Sequence, residues 1–189
     1  MNYWIIGTLI LSLISPISYT RSMVSGKSKP HRVTRFIVWL ASLAGILGVL
    51  QSDNLAGQIF ALIFFLRATY LLGMSLKFGV GGSNTLDKIC LGLGLLALLA
   101  YLTTQNGILT ISLGILADLI GYIPTFVKTY HEPKSEDPLF FSLEGIASLF
   151  AIFAIWQFRA DILFPIYFTL SSATVVILIY RKTIFPFWK

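Results

Sequence analysis

The chain has 189 residues, of which 56% are hydrophobic and only 12% charged, and its mean hydropathy is +0.82. A soluble domain of this size needs a shell of charged side chains that this composition does not supply, so the composition excludes one. The net charge is +6, and the single cysteine, Cys90, excludes an internal disulfide.

Seven apolar segments follow one another along the chain, near residues 3–20, 34–51, 55–74, 87–104, 107–127, 139–157 and 162–180. About 20 residues of helix cross the hydrocarbon core of a membrane. The sequence therefore predicts an all-α integral membrane protein with seven transmembrane helices. The first segment lacks the basic start and the small-residue cleavage pattern of a signal peptide, so it is predicted to be the first helix.

The landmarks of the first three segments recur in the last three. Pro16 and Pro30 are separated by the same interval as Pro124 and Pro138, and each pair brackets a polar stretch with a Lys-Ser dipeptide. One more apolar segment lies between the copies. The pattern predicts a 3+1+3 arrangement of two parallel triple-helix bundles, with a first repeat, a linker helix and a second repeat at residues 1–79, 80–106 and 107–189.

Basic residues fix the predicted orientation. With the N-terminus outside, the segments on the inner side carry twelve of the fourteen Lys and Arg residues. This satisfies the positive-inside rule, so an N-out, C-in topology is predicted. Basic loops beside anionic lipid headgroups also explain the net charge, and no nucleic-acid partner is indicated.

Three ionisable side chains lie at membrane depth in this prediction. They are Asp118, Arg67 and Glu144, and such groups usually face a bundle interior or a water-filled path. Helical spacing places Tyr122 and Thr125 on the face of Asp118, and Tyr70 near Arg67. Trp39 lies deeper than the other tryptophans. These seven residues are predicted to line a solute cavity, although a purely structural Asp118–Arg67 pair remains an alternative.

Two prolines interrupt helices at matching positions of the two copies. Pro16 lies in the first predicted helix and Pro124 in the fifth, and a proline removes a backbone hydrogen bond where it sits. Both are predicted hinges. No metal-ligand spacing, P-loop, HExxH, GxSxG or Rossmann motif occurs, so neither a metal site, a cofactor nor an enzyme is predicted.

These landmarks resemble those of the PQ-loop superfamily, which includes the SWEET and SemiSWEET sugar transporters. The second copy reads Asp118-Leu-Ile-Gly-Tyr-Ile-Pro-Thr-Phe-Val-Lys128, followed by Pro-Lys134-Ser135-Glu, and the first reads Pro16-Ile-Ser-Tyr, followed by Gly-Lys27-Ser28-Lys-Pro. The glutamine of the family's Pro-Gln pair is replaced by Ile17 and Thr125. The resemblance implies seven helices, an outer N-terminus and alternating access to a central cavity.

The sequence thus predicts a membrane transporter or facilitator of a small polar solute in a plasma or inner membrane. A sugar is the first candidate, and an amino acid, a vitamin or a nucleoside remains open, as do proton coupling and homo-oligomerisation. Two alternatives remain open: a receptor or sorting protein on the same scaffold, with the basic loop 21–35 as its docking site, and a structural or lipid-handling bundle.

Overall fold

A computed structural model describes residues 3–49, 55–103, 107–155 and 162–184 of the chain. Seven α-helices occupy these residues: α1 (Tyr3–Val24), α2 (Arg32–Val49), α3 (Leu55–Phe78), α4 (Thr85–Thr103), α5 (Gly107–His131), α6 (Pro138–Ile155) and α7 (Leu163–Ile184). A short 3-10 helix, Pro133–Ser135, precedes α6. The prediction of an all-α chain with seven helices is confirmed for the described residues, whose one β-type pairing is an isolated bridge.

Two of these helices are long and apolar enough to cross a membrane, α1 and α7, when the described residues are considered. In α6 the apolar part, Pro138–Ala154, is shorter. The ends of the predicted spans 34–51, 87–104 and 139–157 lie outside the described residues. The number of membrane spans and the N-out topology therefore stay predictions.

Local sequence signals explain where the helices begin and end. Helix α1 ends because Gly26 adopts a left-handed φ of 72°, and the amide of Lys27 then donates to the carbonyl of Ser22 at 2.9 Å. This is a Schellman motif, which satisfies the last carbonyls of a helix. Helix α6 begins at Pro138 because the preceding Asp137 caps it, accepting from the amides of the two residues after the proline at 2.8 and 3.2 Å.

The chain forms two compact units. The first combines Met1–Pro30 with Thr125–Lys189, and the second is His31–Pro124. In the first unit α1 packs against α6, and α6 against α7; in the second, α2 packs against α3 and α4. These boundaries differ from the predicted repeats 1–79 and 107–189, which rest on sequence landmarks and stay a prediction.

The interior of the first unit is aromatic where α1 meets α6. Tyr19 is fully buried and stacks on Phe140, with ring centroids 4.3 Å apart. Nearer the start of α1, Trp4 contacts the ring of Phe150 edge-on at 5.3 Å. Since the early part of α1 meets the late part of α6, the two helices run antiparallel.

Small residues bring helices close together in the interior of the second unit. Ala97 and Leu98 of α4 pack with Ala117 of α5 in one buried cluster. On α2, the side chain of Ile37 lies against Gly94 and Gly121, where a β-carbon would come within 2.9 and 2.8 Å of it. The glycines therefore permit a close approach of α2 to α4 and α5 that a larger residue would prevent.

Candidate functional site

In the first unit, a cluster of polar groups surrounds the two Lys-Ser turns, Lys27-Ser28 and Lys134-Ser135. The amide of Lys29 donates to the carbonyl of Ser135 at 2.9 Å, which joins the connection after α1 to the connection before α6. The ammonium group of Lys128, near the end of α5, donates to both the Lys29 and the Ser135 carbonyls. The two turns are therefore held together by a backbone hydrogen bond and by the Lys128 side chain.

Lys128 also forms a buried ion pair. Its Nζ lies 2.6 Å from Oε1 of Glu136, whose side chain is fully buried. The other carboxylate oxygen of Glu136 accepts from the hydroxyl of Tyr19 at 2.5 Å. A buried carboxylate requires such partners, since an unpaired charge would be strongly destabilising in the interior. Sequence analysis placed Lys128 and Glu136 in the family-like motif but did not predict that they pair.

Two more acidic side chains accept hydrogen bonds from serines of α1. Asp137 caps α6 and accepts a hydrogen bond from Ser18 Oγ at 2.9 Å. Further along, Glu144 of α6 accepts from Ser15 Oγ. Glu144 is a predicted cavity residue, and the structure places it against a fully buried serine at the α1–α6 contact.

Asp118 and Tyr122, two more of the predicted cavity residues, lie in the interior of the second unit. Asp118 is 1% exposed near the middle of α5, and Tyr122, one turn later, is also buried. Next to them, Gly121 accepts a hydrogen bond through its carbonyl from Thr34 Oγ1 at 2.6 Å. The helical face predicted for Asp118 and Tyr122 is therefore an interior face of this unit.

The remaining predicted residues of the second unit lie on α2 and α3. Trp39 donates from its indole Nε1 to Thr69 Oγ1 at 3.0 Å, so this ring is tied to α3. The guanidinium of Arg67 stacks over the ring of Phe64 at 4.7 Å. Tyr70 is 46% exposed, whereas Asp118 is buried.

The predicted hinge prolines lie inside helices that continue through them. Pro16 is buried in α1, and its carbonyl accepts from Thr20 Oγ1 at 2.7 Å. Pro124 is buried in α5 and is the last residue of the second unit, while Thr125 is the first residue of the returning part of the first unit. Thr125, a predicted cavity residue, is buried, and its backbone carbonyl accepts a hydrogen bond from Thr129 Oγ1 at 2.7 Å.

Sequence analysis missed a second polar centre, at the start of α2 in the second unit. His31 and Asp87 are both buried, with Nε2 and Oδ1 3.2 Å apart. The other oxygen of Asp87 accepts from the amide of Gly82, and Asn84 caps α4 by accepting from the Asp87 amide at 2.7 Å. The spacing Asn84-x-x-Asp87 before an apolar run is a helix-start signal that could have located the carboxylate.

The sequence counted Arg35 among the basic residues of the inner segment and did not predict whether its side chain is buried. The structure shows it 6% exposed in the second unit, one residue after Thr34 of α2. A charge pattern counts residues by segment and gives no side-chain direction, so the burial of Arg35 could not be read from it. The described residues contain no group of three or more His, Cys, Asp or Glu side chains that could hold a metal ion.

The structure thus distributes the predicted residues over both units. Pro16, Thr125 and Glu144 belong to the first, and Trp39, Arg67, Tyr70, Asp118, Tyr122 and Pro124 belong to the second. Their role in solute binding stays a prediction. Comparison of the chain with protein-family models, with curated protein sequences and with solved structures gave no match, so the PQ-loop resemblance also stays a prediction.

Proposed function

We propose that this chain is a multi-pass integral membrane transporter that moves a small polar solute by alternating access. All seven helices would cross the membrane, with the N-terminus outside and the C-terminus inside. Two helices long and apolar enough to cross a membrane and the bias of basic residues toward one side support the membrane part of the proposal. A plasma or inner membrane is the proposed location.

The observation that carries the transport part is a buried acidic side chain within an apolar helix. Asp118 is buried in the middle of α5, and Glu144 contacts a buried serine of α1 in the first unit. A charge at the bilayer centre is unfavourable by at least about 2.5–3.5 kcal/mol, so residues of this kind mark solute or ion paths more often than they serve packing alone.

The places where the chain passes from one unit to the other support a hinge. It does so after Pro30 and after Pro124, and the second of these lies inside the continuous helix α5. A helix lacks one backbone hydrogen bond at a proline, so bending there disrupts less than elsewhere. Pro124 is therefore proposed as a hinge of the transport cycle.

Uptake into proteoliposomes tests the proposal. Purified protein would be reconstituted and offered labelled sugars, amino acids, vitamins and nucleosides, each with and without an inward proton gradient. Saturable uptake of one class, sugars being the first candidate, is the expected result. The absence of uptake by folded, correctly inserted protein would contradict transport and favour a receptor or sorting function.

An Asp118→Asn variant tests the assigned position. It keeps the side-chain volume but removes the charge, and we expect at least tenfold slower uptake because the carboxylate lies on the solute path. Glu132→Gln, which neutralises an exposed carboxylate at the start of the α5–α6 connection, should leave uptake unchanged. Equal rates in both variants would remove Asp118 from the path without touching the transport proposal.

A further inference from the structure

A cleft of about 580 Å³ lies in the first unit beside the joined Lys-Ser turns. Its walls come from the connection after α1, from the 3-10 helix and from the last part of α7. The charged residues that line it are Lys27, Lys29, Lys134, Lys182 and Glu132, and Ile179 adds an apolar wall. Lysines from both sequence copies therefore open onto one space.

Packing of the serines explains why the lysines face the cleft. Ser28 and Ser135 are both buried, and the hydroxyl of Ser28 lies 2.6 Å from that of Ser22. With each serine turned inward, the lysine before it, Lys27 or Lys134, is left exposed. The hydrogen bond from Lys29 to Ser135 and the three-way contacts of Lys128 fix the walls relative to each other.

The cleft carries excess positive charge. Four lysines and one glutamate line it, which leaves a net charge of +3 at neutral pH. In the described part of the chain no side chain hydrogen-bonds or forms an ion pair with the ammonium groups of Lys27, Lys134 or Lys182. The neighbouring Arg181 differs, since it stacks on Tyr130 at 4.6 Å and donates to the Leu178 carbonyl at 3.1 Å.

From this geometry we infer that the cleft binds a phosphate group, carried by an anionic lipid headgroup or by a soluble phosphate compound. Lysine ammonium groups bind phosphate as point charges, and several converging on one space match a multiply charged anion. Basic pockets on the inner side of helical membrane proteins bind phosphoinositide-type headgroups in this way. The inference does not depend on transport, because the cleft uses none of the predicted cavity residues.

Binding to the 189-residue chain in detergent tests the inference with three probes. They are a short-chain fluorescent phosphatidylinositol bisphosphate, soluble inositol trisphosphate and inorganic phosphate. The site variant is Lys27→Gln/Lys134→Gln. The matched control, Lys77→Gln/Lys88→Gln, removes two exposed lysines of the second unit. Both are also predicted to lie on the inner side of the membrane.

The site variant should bind the responding probe about thirtyfold more weakly, as expected for the loss of two cations beside an anionic group. The control should bind like the parent chain. Glu132→Gln should bind about fivefold more tightly, because it removes the negative charge from the lining. Circular dichroism of each variant would establish that it is folded.

The pattern among the probes identifies the source of the phosphate. Binding of the lipid without the soluble compounds indicates a headgroup site, and binding of inositol trisphosphate or inorganic phosphate indicates a soluble ligand. Either result supports a phosphate site in the cleft if the site variant binds that probe more weakly and the control variant binds it like the parent chain. No binding of any probe by the parent chain, or equal losses in the site and control variants, would overturn the inference.

Discussion

The ammonium group of Lys128 contacts two other segments of the first unit, the connection after α1 and the connection before α6. It pairs with Glu136 at 2.6 Å and donates to the carbonyls of Lys29 and Ser135. Lys128 thereby joins the two connections through hydrogen bonds and a largely buried ion pair. Its importance for stability therefore exceeds that of a surface ion pair, which contributes about 0–1 kcal/mol.

Replacement of Lys128 by methionine should destabilise the protein strongly. The variant keeps the apolar stem but leaves the Glu136 carboxylate buried without its cation, at about 3–5 kcal/mol, or roughly 10 °C in Tm for a chain of this length. The double variant Lys128→Met/Glu136→Met should recover part of this loss. Thermal unfolding in detergent measures both, and Lys134→Met, at an exposed lysine, is the control. Equal Tm values for all of them would contradict a structural role for the pair.

Gly81 and Gly82 offer a comparison within one loop of the second unit. Both have left-handed φ values, 83° and 101°, but a β-carbon on Gly81 would lie 2.1 Å from Nε2 of His31, whereas one on Gly82 meets nothing within 4 Å. Gly82→Ala therefore measures backbone strain alone, at about 1–2 kcal/mol. Gly81→Ala adds a clash with the buried imidazole.

Gly81→Ala should consequently reduce the free energy of unfolding at least twice as much as Gly82→Ala. Addition of His31→Ala to each variant completes a double-mutant cycle, in which the coupling should be large for Gly81 and small for Gly82. The same thermal measurement serves for all the variants. Identical losses at the two glycines would show that the imidazole can move aside without a penalty.

Helix α2 is positioned by small residues on its neighbours. Ile37 fills the space over Gly94 of α4 and Gly121 of α5, and Thr34 adds a hydrogen bond to the Gly121 carbonyl. Contacts of this type dominate between helices in lipid, where apolar burial gives little preference for one helix over another. The approach is tightest at Gly121, whose added β-carbon would meet the β-carbon of Ile37 at 2.8 Å.

Gly121→Ala should destabilise the second unit by about 1–3 kcal/mol, because the clash involves an atom close to the α2 backbone that cannot rotate away. Gly92→Ala is the matched change on α4, where a β-carbon meets nothing within 4 Å. It should be neutral or stabilising by up to about 1 kcal/mol, since alanine favours helix over glycine. A Gly121→Ala variant as stable as the parent would rule out this tight packing.

Most of the helices could be predicted from the sequence, because each long apolar run between polar stretches became one. Their ends were less predictable. Helices α1, α3 and α5 continue to Val24, Phe78 and His131, about one turn past the predicted apolar limits, because polar residues extend a helix until a capping signal such as Gly26 stops it. Hydropathy marks the apolar part of a helix, and backbone geometry marks its end.

Side-chain partners were the least predictable part of the candidate site. His31 and Asp87, and likewise Tyr19 and Glu136, are far apart in sequence and meet only through the packing of whole helices. That Asp118 and Tyr122 share one face of α5 could be predicted, because it follows from helical spacing alone. Their burial is a finding of the structure. The two Lys-Ser turns were recognised as matching landmarks, but their direct contact was not foreseen.

For the molecule as a whole, the predicted topology gives an accessibility test. In a Cys90→Ser background, single cysteines at Ser83 and Lys134, both exposed and predicted to lie inside, should resist a membrane-impermeant maleimide applied from outside. Cysteines at Asn54 and Asn106, which lie outside the described residues, are predicted to react. Intact cells and permeabilised cells provide the two conditions. Reaction of Ser83→Cys from outside in intact cells would contradict the N-out topology.

The first unit is assembled from two distant parts of the chain, Met1–Pro30 and Thr125–Lys189, and this bears on how the protein is made. The hydroxyl of Tyr19 and the carboxylate of Glu136, which bond in the finished unit, are 117 positions apart. At a synthesis rate of about 5–20 residues per second, α1 waits roughly 6–25 s for its partner helix. During that time the contiguous second unit, His31–Pro124, is synthesised. Ser15, Ser18 and Tyr19 therefore spend the interval without the carboxylates that they finally bind, so α1 cannot reach its final contacts until α6 has been made.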